Sequence, residues 1–154
     1  MDAALAAIYD YLQLEALGRL LLAVALAGVL GSEREIAGQA AGLRTHVLVS
    51  LGAACFTLVS IFGFIGYGTV QDPGRVAAQI VTGVGFLGAG AIWRSGVSVR
   101  GLTTAASIWM AAAVGMMAGS GLYLLAAGAT ALAWLVLYAV KRFERRLVTK
   151  DGQD

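Results

Sequence analysis

This chain has little cysteine, little histidine and little charge. The single Cys55 excludes an internal disulfide, and its place in an apolar run suits a small packing residue rather than a reactive thiol. One histidine, His46, excludes a histidine-rich metal site. Of 154 residues only 13% are charged and 59% are hydrophobic, with a mean hydropathy of +0.80. A soluble domain of this size needs more polar surface. No hydrolytic constellation and no phosphate-cradling loop stands in the sequence, so an enzyme is not expected. Basic residues are missing before Arg19, where Asp2, Asp10 and Glu15 stand instead. That is the reverse of a secretory signal, so the first apolar run is expected to be retained.

What the chain has in quantity is membrane-grade sequence. Five apolar runs cover residues 14–31, 47–66, 76–93, 102–118 and 122–140. Each is about 17–20 residues, enough helix for a hydrocarbon core of roughly 30 Å. With the N-terminus outside, Arg19 and Arg75 are the external basic residues. Arg34, Arg44, Arg94, Arg100, Lys141, Arg142, Arg145, Arg146 and Lys150 are then internal. This split predicts an N-out, C-in topology. The fold class expected is an all-α integral membrane protein, a bundle of five transmembrane helices. Residues 1–13 form an external lead-in, 14–140 the transmembrane domain and 141–154 a basic cytoplasmic tail at the anionic leaflet. The tail is too short to predict a nucleic-acid partner.

Arg19 lies one turn inside the first run, where it is expected to snorkel to the headgroups. The loop 32–45 is expected to hold a short interfacial helix over 36–41. Asp72 suits an N-cap and Pro73 the first helical position of the third span. That span carries Gly83, Gly85, Gly88 and Gly90, which spell a dinucleotide fingerprint. The fingerprint needs a preceding strand and a βαβ unit, so it is rejected here. Gly85 and Ala89 instead make a small-xxx-small pair with Gly88 on the same face, predicting a central packing helix. The loop 94–100 is short and basic. The turn Gly119-Ser120-Gly121 predicts an antiparallel pairing of spans four and five, the last of which reads as packing or lipid-facing helix.

The polar groups beside these runs are the candidate functional residues. At the inner end stand Glu33, Arg34, Glu35, Arg44, Thr45 and His46, with Glu33 and Arg44 expected to pair across the loop. At the outer end stand Asp72, Arg75 and Gln79, the last two on one helical face. Thr82, Thr103, Thr104 and Ser107 lie within spans three and four, where hydroxyls bond their own helix or a neighbour.

Several motifs in order resemble the MgtC/SapB family of bacterial inner-membrane proteins. They are Gly31-Ser32-Glu33-Arg34, Ala41-Gly42-Leu43-Arg44-Thr45-His46, Leu51-Gly52-Ala53, Asp72 and Arg75-Val76-Ala77-Ala78-Gln79-Ile80. The run Gly83-Val84-Gly85-Phe86-Leu87-Gly88-Ala89-Gly90 follows, then Val99-Arg100-Gly101-Leu102-Thr103-Thr104-Ala105-Ala106-Ser107-Ile108-Trp109 and Gly115. The resemblance implies a multipass inner-membrane protein linked to growth under magnesium limitation, and to virulence in some relatives. It implies a regulator of membrane partners, including the ATP synthase and magnesium-transport machinery. On this resemblance the chain, which ends at Asp154, is expected to be a short form lacking the soluble ACT-like C-terminal domain of longer members. An alternative expectation is a small cation channel or transporter, with Mg²⁺ as the ion, which five spans allow only as a dimer or larger homo-oligomer. No cofactor is expected beyond a weak Mg²⁺ contact at Asp72, where a lone external carboxylate can dock a hydrated ion while capping its helix. Asp72 and Arg75 are expected to hold the outer face of the bundle.

Overall fold

An almost unbroken supply of alanine and leucine carries the first helix, α1, from Ala3 to Ile36. The computed structural model describes residues 3–64 and 72–140. At 1.5 Å per residue the 34 residues of α1 extend about 51 Å. The expected lead-in is therefore one helix with the first span, and residue 13 marks no structural break. α1 stops at Gly38, whose φ of +66° is open to glycine at little cost. The Gly38 N–H donates to the Glu35 carbonyl and the Gln39 N–H to that of Arg34. This is a Schellman termination. It replaces the short helix expected over 36–41.

α2 (Leu43–Phe62) starts five residues later. Its first N–H groups lack a side-chain cap from Gly42, and the Glu35 carboxylate reaches across to accept from Leu43 N at 2.9 Å. α3 (Pro73–Gly90) begins as its sequence dictates: Asp72 is extended, its Oδ1 accepts from Gly74 N at 3.0 Å, and Pro73 fills the first turn. The whole glycine run 83–90 is helical, which bears out the rejection of the dinucleotide reading.

The basic loop holds structure that the apolar pattern did not reveal. β1 (Trp93–Ser95) and β2 (Ser98–Arg100) pair antiparallel around a two-residue turn, with Trp93 opposite Arg100 and Arg94 opposite Val99. Gly96 at the turn has φ +62°, and a Gly-X turn of this length was the available signal. The fold is thus mostly helical rather than purely so. α4 (Leu102–Gly119) ends in a second Schellman turn at Gly121, φ +80°, and α5 (Tyr123–Leu135) runs back beside it, continued by a π-turn over Val136–Val140.

The centre of the bundle is α4, which touches α1, α2, α3 and α5. This corrects the expectation of a central third span. Small residues let the helices close in: Ala23, Ala27, Ala53, Ala54, Ala111, Ala112 and Ala118 are all buried. At Gly115 α4 lies so close to Ser50 of α2 that a Cβ would overlap the Ser50 carbonyl oxygen. At Gly119 the Ala54 carbonyl oxygen would stand 2.9 Å from a Cβ. α3 packs beside this core. Of the glycines in its 83–90 run only Gly88 faces a neighbour, Ala105 of α4; a Cβ at Gly83, Gly85 or Gly90 would meet nothing within 4 Å, and Ala89 is exposed. The count of glycines in a helix does not reveal which helix its neighbours approach.

Among the described residues, three segments are long and apolar enough to cross a membrane: Leu12–Ile36, Leu43–Phe62 and Leu102–Gly119. Tyr123–Ala139 is a shorter apolar helix. Large side chains such as Leu21, Leu48, Phe56, Leu124 and Leu132 lie on the outside, as a lipid solvent requires. The protein is a membrane protein. Residues 65–71, the end of the second apolar run among them, and the basic tail 141–154 lie outside the described residues.

Candidate functional site

The end of α1, the start of α2 and the start of α4 meet at the same end of the bundle as the β-hairpin. Gly31 permits this, since a Cβ there would stand 2.8 Å from the Leu43 Cα. His46, in the first turn of α2, is completely buried between them. Its Nδ1 lies 2.8 Å from the Gly42 carbonyl oxygen and its Nε2 lies 3.0 Å from Ser107 Oγ. A carbonyl only accepts, so Nδ1 carries the proton. In that neutral tautomer Nε2 is an acceptor for the Ser107 hydroxyl, whose oxygen also lies 2.8 Å from the Thr104 carbonyl. The serine proton therefore has two acceptors, one on each helix. Thr104, buried, turns its own hydroxyl to Gln39 Oε1 at 3.4 Å.

Arg34 closes this end. It is 3% exposed, and its Nε donates to Glu33 Oε2 at 2.5 Å. Both groups are within electrostatic reach of His46. Deeper in, Ser50 Oγ donates to the Ala23 carbonyl at 3.2 Å and joins α2 to α1. A serine hydroxyl 3.0 Å from a histidine nitrogen has the spacing of a nucleophile and its base. Here both side chains are buried, and the pair joins α2 to α4.

The inner expectations are redistributed accordingly. Glu33 pairs with its neighbour Arg34, not with Arg44, which is exposed, as is Thr103; Thr45 is half-buried. The structure brings together Glu33, Arg34, His46, Thr104 and Ser107. The signal for His46 as their hub was weak, because its partner is 61 residues away in the chain.

At the other end Asp72 is exposed and caps α3. Arg75 bonds Asp72 through the backbone alone, N to O at 3.1 Å, and no Asp72–Arg75 ion pair forms among the described residues. Arg75 and Gln79 are exposed. Gln79 borders an apolar groove of about 500 Å³ between α2 and α3, walled by Leu48, Phe56, Ile80, Val84 and Leu87. Thr82 bonds its own helix at Ala78 O, 3.0 Å. Arg19 is held by partners within the bundle. Its guanidinium donates to Glu15 Oε1 at 2.5 Å, to the Gly119 carbonyl at 3.0 Å and to the Tyr123 hydroxyl at 3.1 Å, and lies over the rings of Phe62 and Tyr123. The i, i+4 spacing of Glu15 and Arg19 was a legible signal for the first of these bonds.

Comparison with known proteins places the chain in a family. The MgtC family profile matches residues 20–146. The chain is 46% identical over 137 residues to the "Putative magnesium transporter YhiD" of Escherichia coli strain K12, covering 86% of this chain and 64% of that protein. It is 41% identical over 138 residues to "Protein MgtC" of Salmonella typhimurium strain LT2, covering 87% of this chain and 58% of that protein. With "Protein MgtC" of Brucella abortus strain 2308 the identity is 48% over 123 residues, covering 80% of this chain and 48% of that protein. The chain thus spans about half to two thirds of the length of these relatives. No solved structure matches it. On the extent of the profile match and these identities, the chain belongs to the MgtC family.

Proposed function

We propose that this chain is a bacterial inner-membrane regulator that adapts cells to low Mg²⁺ by acting on other membrane proteins, as a homo-oligomer of at least two copies. The partners proposed are the ATP synthase and magnesium-transport machinery. The observation that carries the reading is the use made of the buried polar groups. His46 bonds Ser107 and Ser50 bonds Ala23, and the half-buried Arg19 bonds Gly119 and Tyr123. Polar groups engaged in this way tie helices to one another and leave the outer surface for recognition. The relatives' names, one of them a putative magnesium transporter, support the link to Mg²⁺.

The topology proposed is five spans, N-out and C-in, supported by the distribution of arginine and lysine. α3 is the fourth long helix of the set; its 18 residues extend about 27 Å, close to a hydrocarbon core. Asp72 then lies outside, where its exposed carboxylate is the proposed weak contact for hydrated Mg²⁺.

In a strain lacking its own relative, the chain is expected to restore growth at low Mg²⁺ without raising the rate of Mg²⁺ uptake. Uptake that rises with expression would replace regulation with transport. In the same cells a cysteine at position 97, with Cys55→Ser, is expected to resist a membrane-impermeant thiol reagent, and labelling there would reverse the orientation.

A further inference from the structure

The hairpin between α3 and α4 is held firmly at its base and is exposed along both strands. Gly101, φ +91°, sits so close to the end of α3 that a Cβ would overlap the Ala91 carbonyl oxygen. From that anchor Trp93–Arg100 projects with every residue exposed, Val97 at the turn reaching 98%. A two-stranded hairpin with no layer beneath it is marginal in water. This one starts three residues after α3 ends, and α4, long and apolar enough to cross a membrane, starts two residues after it. It therefore lies at the bilayer interface, whichever way the chain is oriented.

Its side chains match that place. Opposed residues in an antiparallel pair share a face, so Trp93 stands beside Arg100 on one face and Val99 beside Arg94 on the other. Each face thus carries one arginine and one apolar or aromatic group. Arg94 Nε donates to the Gly96 carbonyl at 2.9 Å, which fixes the guanidinium across the turn. Among the described residues no carboxylate pairs with either arginine. Indoles favour the headgroup layer, and the planar guanidinium suits phosphate oxygens.

We propose that the hairpin Trp93–Arg100 binds anionic phospholipid headgroups, with Arg94 and Arg100 on the phosphate and Trp93 and Val97 in the interfacial layer. The proposal is independent of the regulatory reading, since either a regulator or a channel can carry such a contact.

The full chain with Trp109→Phe and Trp134→Phe keeps Trp93 as its one indole. It is reconstituted in phosphatidylcholine vesicles holding a minor fraction of either phosphatidylglycerol or phosphatidylcholine brominated high on its acyl chains. Trp93 emission is expected to be quenched more by the brominated anionic lipid, from an enrichment of roughly fivefold for each arginine. Arg94→Gln with Arg100→Gln should bring the two lipids level, as should high salt. Equal quenching before any arginine is changed would overturn the proposal. So would strong quenching by aqueous iodide with none by either lipid, which would leave the hairpin in water as a surface for a protein. Should the double-phenylalanine chain not fold, phosphatidylglycerol retained by the otherwise unaltered chain in native mass spectrometry is compared with and without the two arginine changes. No difference there would overturn the proposal equally.

Discussion

Gly115→Leu is expected to prevent the bundle from forming. Even a single methyl there overlaps the carbonyl oxygen of Ser50 and stands 2.8 Å from its Cα and carbonyl carbon. These are backbone atoms, so no rotamer change relieves the contact and α2 must move away from α4. Ser50 also holds α1 through the Ala23 carbonyl, so the displacement propagates to a third helix. Overpacking costs typically 1–3 kcal/mol and more where the neighbours are rigid. Gly115→Ala should therefore give a folded protein with a lowered melting temperature in detergent, and Gly115→Leu an aggregated one on size-exclusion chromatography. Gly85→Leu is the control. Its Cβ meets nothing within 4 Å, and the variant should elute and melt like the parent. Equal tolerance of leucine at positions 115 and 85 would refute the placement of α4 at the centre.

Glu33→Gln is expected to destabilise the protein by about 3–5 kcal/mol, because it leaves the Arg34 guanidinium buried without its counter-charge. The two side chains are only 4% and 11% exposed and meet at 2.5 Å. The pair itself need not be strongly stabilising, since removing both charges often costs little. Glu33→Gln combined with Arg34→Met should thus recover most of the loss. Arg44→Gln, at an exposed position, should stay within about 0.5 kcal/mol of the parent. Thermal unfolding of the four proteins in one detergent checks all three statements. A larger loss at Arg44 than at Glu33 would restore the pairing across the loop that the sequence alone had favoured.

The sequence makes the long apolar segments and local chemistry legible and hides the partners. Asp72-Pro73 announces the start of α3 because capping is decided within three residues. The turn at Gly119-Ser120-Gly121 is local in the same sense. His46 and Ser107 cannot be paired from the chain, since helix–helix registry brings together residues 61 apart. Arg19 looked free to snorkel because Gly119 and Tyr123, which receive its hydrogen bonds, lie about a hundred residues away. The glycines of α3 outnumber those of α4, yet Gly115 and Gly119 carry the closest crossing. Composition tells how near a helix can be approached; it does not tell by which helix. The β-hairpin was hidden differently: four charged or polar residues in a short basic loop outweighed the turn signal at Gly96.

The central claim is that the buried polar groups join helices rather than line a path for ions. Liposomes containing this protein alone, loaded with a Mg²⁺-sensitive dye and placed in an inward Mg²⁺ gradient, test it most directly. Influx is expected to match that of protein-free liposomes at every protein-to-lipid ratio. Influx that climbs with the amount of protein would contradict the account and assign the chain a cation path.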